Sequence, residues 1–127
     1  MKFVLTTRRA LAGVVASAAL LGGCAAPAKS IYGWGSYQQQ VYDHFRGDGR
    51  SPQDQLASLQ QDLQTIQSKG EAVPPGYHAH LGLLYGELGQ PDQMRQQLLA
   101  EKELFPESAT FMDFLLKKMP AKQGEVR

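Results

Sequence analysis

The chain has 127 residues, with 13 Lys and Arg against 12 Asp and Glu and a single cysteine, a length that leaves room for one domain of ordinary size. A formal charge of +1, with no basic block beyond Lys117-Lys118, is far from the positive stripe that nucleic-acid binding requires. One thiol excludes an intramolecular disulfide.

Lys2, Arg8 and Arg9 precede an uncharged stretch from Ala10 to Gly23, rich in Ala, Leu and Val. This is the basic n-region and apolar h-region of a secretory signal, and it falls short of the ~20 residues needed to cross a bilayer. Leu21-Gly22-Gly23-Cys24 resembles the lipobox of bacterial lipoproteins. The resemblance implies removal of residues 1–23 and acylation of Cys24, and Ala25 after the cysteine resembles the pattern of lipoproteins sent to the outer membrane. The expected location is therefore the cell envelope, on the outer membrane facing the periplasm. Loss of Lys2, Arg8 and Arg9 leaves ten basic residues against 12 acidic ones, a mature charge of −2. Residues 24–30 read as a short tether.

From Ile31 the pattern is helical. Tyr37, Val41 and Phe45 recur every four residues on a helix expected from about Gly35 to Arg46, within an aromatic cluster that starts at Tyr32 and Trp34. Core, membrane-interface belt and partner patch are all open readings of that cluster. The Gly47-Asp48-Gly49 turn ends this helix. Ser51-Pro52-Gln53-Asp54 starts a second, because Ser51 can cap free amides, Pro52 suits the first turn and Asp54 suits the positive end of the dipole. Leu56, Leu59, Leu63 and Ile66 give it an apolar face to about Lys69, and Gly70 suits a left-handed terminator.

Pro74-Pro75 opens a third helix, which Gly89-Gln90-Pro91 breaks. A fourth is expected from Asp92 to Phe105, where Pro106 disfavours helical geometry. Ser108 is expected to cap a fifth, with Phe111, Phe114, Leu115 and Met119 on one stripe. From residue 120 the chain is polar and is expected to be a disordered tail. No segment alternates with period two, so no sheet is expected.

The segment 75–108 has the 34-residue length of a tetratricopeptide repeat. With Gly82 at the repeat's close-packing glycine, Leu81, Tyr85, Gly89, Leu98 and Pro106 fall on its other landmarks, while His78, Met94 and Glu101 depart from it. The first helix pair lacks the Leu-Gly pair and is at best a degenerate repeat. The expected fold is all-α, a short tetratricopeptide-like hairpin array of about five helices over residues 31–119.

Tyr32-Gly33-Trp34-Gly35-Ser36-Tyr37, Pro74-Pro75-Gly76, His78 through Tyr85, and Glu101 through Ser108 with Phe111-Met112 together resemble the short bacterial lipoproteins called domain of unknown function 4810. The resemblance covers nearly the whole mature chain and implies no biochemical activity. Genes of such proteins often lie beside those of a curli-secretion-channel-like lipoprotein and another small lipoprotein, which implies a shared envelope assembly.

Other constellations are weak. His78 and His80, two apart on a helix, point to nearly opposite faces, and no HExxH pattern or second cysteine accompanies them, so no metal or cofactor is expected. His44 reads as a surface pair with Asp43. The serines sit at caps or in the tether and not on a nucleophile elbow, so no catalytic residue is expected. Glu101 falls on a face that normally buries a small side chain, so it either takes His78 or His80 as partner or leans outward with Lys102.

The expected function is a membrane-anchored protein-interaction or assembly factor, not an enzyme. Its partner is expected to be an envelope protein, other small lipoproteins included. An accessory factor or weak hydrolase of the cell wall is the alternative. In the tetratricopeptide register the groove-facing positions are Ala79, His80, Leu83, Gly86 and Glu87.

Overall fold

Among the described residues, five amphipathic stretches bounded by glycine and proline give five helices. The computed structural model describes residues 30–47 and 49–119; the expected signal, Cys24, the tether up to Lys29 and the tail from residue 120 lie outside them. The helices are α1 (Tyr37–Arg46), α2 (Pro52–Ser68), α3 (Tyr77–Glu87), α4 (Pro91–Leu104) and α5 (Ala109–Lys118), with a 3-10 turn at Pro106–Ser108. Among the described residues there is no strand. A lone parallel bridge joins Tyr32 to Ala72, where the Gly33 N–H donates to the Ala72 carbonyl at 2.8 Å.

Local chemistry explains most of the boundaries. Ser51 accepts from the Asp54 N–H at 3.2 Å and caps α2, while Gly47 and Gly70 take left-handed φ values of +71° and +66° where α1 and α2 end. α4 starts one residue earlier than expected, at Pro91, and two other starts come two residues late. Gly35, at φ +48°, keeps itself and Ser36 out of α1. Gly76, at φ +87°, delays α3 to Tyr77, two residues past Pro75. At α5 the Ser108 hydroxyl makes no cap; it donates back to the Phe105 carbonyl at 2.7 Å, because the 3-10 turn has already drawn that hydroxyl over the preceding carbonyl.

Each helix packs on the next, and α3 against α4 is the most extensive contact. Gly82 makes that contact close: a β-carbon there would lie 3.2 Å from Leu98 Cδ2, and Leu98 is itself buried. The core between the hairpins gathers Leu56, Leu59 and Ile66 of α2 around Tyr77, Leu81 and Leu84 of α3. The Tyr77 hydroxyl, buried with them, donates to the Leu59 carbonyl at 2.6 Å, so its one polar atom is satisfied.

The start of α3 is held from outside its own segment. Gly76 has no side chain to cap the free amides, and Glu101 of α4, 2% exposed, supplies the acceptor. Its Oε1 accepts from the Gly76 N–H at 2.7 Å and its Oε2 from the Ala79 N–H at 3.3 Å. Glu101 is thus buried, and its partners are the backbone amides at the positive end of a helix dipole, not His78 or His80. Asp62 of α2 does the same for α1: its carboxylate accepts from the Ser36 N–H and hydroxyl, each at 2.6 Å. Glu101→Ala is expected to cost about 1–3 kcal/mol, because two partly buried amides lose their acceptor. Glu101→Gln, which keeps one acceptor oxygen, should cost less. Urea unfolding midpoints of the two variants check the order.

Candidate functional site: an apolar groove between α1, α3 and α5

The first helix of each hairpin and the last helix of the array enclose a groove of about 410 Å³. Tyr37, Val41 and Phe45 of α1 form one wall, Ala79, His80 and Leu83 of α3 the floor, and Phe111 and Leu115 of α5 the other wall. The four-residue spacing of Tyr37, Val41 and Phe45 therefore places them along this groove, with Phe45 75% exposed. On α5 the aromatic stripe faces outward. Met112 is the residue it buries, while Phe111 and Phe114 stay exposed and stack on each other with centroids 6.4 Å apart.

Of the residues expected to face a partner, Ala79, His80 and Leu83 line the groove and two do not. Gly86 lies one turn beyond Gly82 and so shares its face toward α4; a β-carbon there would sit 2.9 Å from Met94 Sδ. Glu87 lies at the C-terminal end of α3, where its Oε1 is 3.4 Å from His44 Nε2, beside a separate polar notch lined by Asp43, Arg50 and Gln55. His44 is accordingly not a surface partner of Asp43, whose carboxylate accepts from Gln39. Leu84, next to Leu83, is fully buried and fills the interior by itself.

His80 is the polar exception in the groove. It is 6% exposed, and its Nε2 has no hydrogen-bond partner among the described residues. Its ring stands edge-on to Tyr37 at 6.1 Å and to His44 at 5.2 Å. His78 instead meets Gln97 of α4 at 2.7 Å, so the two histidines serve different faces. Burial, and secondarily His44, pushes the His80 imidazole down to about 4. The Tyr37 hydroxyl is pushed up from its ordinary value, first by burial and then by the Glu101 carboxylate.

Sequence reasoning reached the α1 wall of the groove only as an open partner-patch reading of the Tyr32 to Phe45 cluster, and it missed the α5 wall and the Asp62 and Glu101 caps. The spacing of Tyr37, Val41 and Phe45 was the available signal for one wall; nothing in the sequence marks a side chain that meets backbone amides 25 residues away. Among the described residues no group of three or more His, Cys, Asp or Glu is placed to hold a metal ion, and no helix is long and apolar enough to cross a membrane.

The lowered His80 value fixes a pH dependence. The unfolded chain binds a proton at this residue below about 6.5 while the folded chain does not until about 4, so stability falls as pH is lowered through that window. The loss should reach roughly 2–4 kcal/mol at its acid end. His80→Leu should flatten that part of the stability curve, and thermal melts of both proteins between the two values test it.

The family model described as Domain of unknown function (DUF4810) matches residues 31–115. No curated protein and no solved structure matches the chain.

Proposed function

We propose that this chain, which belongs to the DUF4810 family, is an envelope lipoprotein held by a lipid on Cys24 and acting as a protein-interaction or assembly factor through the α1–α3–α5 groove. The observation that carries the reading is the groove itself: apolar side chains from three helices left open to solvent around one buried, unpartnered imidazole nitrogen. Solenoids generally need about three repeats to bury a continuous core, and this array has two hairpins and one further helix.

The occupant that fits is the apolar face of a partner's helix carrying one hydrogen-bonding group. Apolar residues at helical spacing would fill the space beside Leu83, Val41 and Phe111. A hydroxyl or amide reaching His80 Nε2 would relieve a buried polar atom, which is worth about 1–3 kcal/mol when left unmet. An envelope protein, including another small lipoprotein, is the proposed source of that helix, with the outer membrane facing the periplasm as the place of meeting.

Two measurements test the two halves of the proposal. Cys24→Ser should abolish incorporation of a labelled fatty acid, since the chain has no other cysteine; labelling that persists in the variant removes the anchor. Leu83→Glu should leave the helical circular dichroism spectrum intact yet abolish photo-crosslinking to an envelope protein from a benzophenone side chain placed at Phe111. A folded Leu83→Glu protein that crosslinks as well as the parent removes the groove.

A further inference from the structure

The aromatic segment that precedes α1 is pinned to the domain but not buried by it. Gly33 is fixed by its N–H bond to Ala72 and pressed so close to Ile66 and Glu71 that a β-carbon would lie under 3 Å from both. On either side of that point, Ile31 is 76% exposed and Trp34 38% exposed. Trp34 meets Tyr32 edge-on and stacks on Tyr37, with centroids 6.3 Å apart in each case. The ring is thus held in place on one side and open on the other. An isoleucine and a tryptophan presented rigidly to solvent form an apolar edge of the kind that marks a contact surface.

The position of this edge in the chain indicates what covers it. From Cys24 to Ile31 are seven residues, which span at most about 24 Å when fully extended. A lipid on Cys24 therefore keeps Ile31 within that distance of the bilayer and Trp34, ten residues from Cys24, within about 35 Å, and a tether so short gives even a weak membrane contact a high effective concentration. Trp and Tyr rings, apolar with a polar tip, are the side chains that settle at the headgroup level. Two carboxylates lie against this segment, Glu71 against Gly33 and Asp62 against Gly35, and both disfavour an anionic surface.

We propose that the Ile31–Trp34 edge rests on the zwitterionic lipid surface of the membrane that anchors the chain, giving the domain a second, non-covalent membrane contact. The inference rests on the proposed lipid at Cys24, and it fixes which end of the domain faces the bilayer.

Trp34 is the only tryptophan and Cys24 the only cysteine, which makes the test site-specific. All the core contacts described above lie within residues 31–119, so the chain from Cys24 onward retains the fold. Coupled through its thiol to a maleimide lipid in phosphatidylcholine vesicles, it sits at a membrane whether or not cells acylate Cys24. Trp34 emission should then shift to the blue and be quenched by brominated phosphatidylcholine, while acrylamide quenching falls relative to the uncoupled protein. The shift should survive high salt. Ile31→Asp should reverse it, whereas Phe45→Asp, at the far end of α1, should not. Emission and acrylamide quenching unchanged on coupling overturn the inference, as does a shift that Phe45→Asp abolishes and Ile31→Asp leaves in place. Failure of fatty-acid labelling at Cys24 would remove the natural anchor without touching this result, so the two failures are distinguishable.

Discussion

A carboxylate from the second helix of each hairpin holds the first helix by its free amides, and the rest of the domain is arranged around that contact. A helix leaves its first N–H groups without internal partners and carries partial positive charge at that end. In α1 and α3 the residues that should satisfy those groups, Ser36 and Gly76, make no side-chain cap to their own helix. Asp62 and Glu101 reach in from α2 and α4. One wall and the floor of the groove are the helices so held: Tyr37 is the first residue of α1 and Ala79 the third of α3. Loosening either carboxylate would shift groove residues within a single turn of the contact.

This arrangement also exposes a repeat that apolar patterning hides. Tyr37 and Tyr77 open α1 and α3 and lie against each other with ring centroids 5.1 Å apart. Each takes a backbone bond from its N–H to the carbonyl three residues before it, at Trp34 and at Pro74. Three residues on, Gln40 and His80 are both buried, and each has one polar atom without a partner. The first hairpin is therefore a counterpart of the second, displaced by 40 positions in the first helix instead of the 34 of a tetratricopeptide unit. The difference accompanies an α2 of 17 residues against 14 in α4.

What was legible in the sequence was whatever depends on near neighbours. Period 3.6, prolines in first turns and left-handed glycines gave five helices and most of their ends, and the Leu81-Gly82 pair gave the closest helix crossing. Leu83 and Leu84 were separable because one register places only one of them inside. What was not legible depends on partners distant in sequence. Glu101 looked like a misfit because its acceptors' donors are main-chain groups, which no side-chain pattern displays. His44 was paired with its neighbour Asp43 when its true contacts, Glu87 and His80, come from α3. The tetratricopeptide register puts Gly86 in the groove, although a residue one turn from Gly82 must share Gly82's face. The stripe on α5 was visible, but not which way it turns, since that is decided by Met112 finding the interior first.

The Tyr77 hydroxyl, bonded to the carbonyl of Leu59, bears on the order in which the domain can assemble as the chain emerges from its amino end. α1 and α2 appear first, but the side chains that close their core, Tyr77, Leu81 and Leu84, belong to α3. Until those residues follow, Leu56, Leu59 and Ile66 have no cover. The second hairpin holds its carboxylate clamp and its Gly82–Leu98 crossing within itself, but its Tyr77, Leu81 and Leu84 find their packing partners only in α2. The core is therefore complete only when the later hairpin meets the earlier one, and the two close as a single unit.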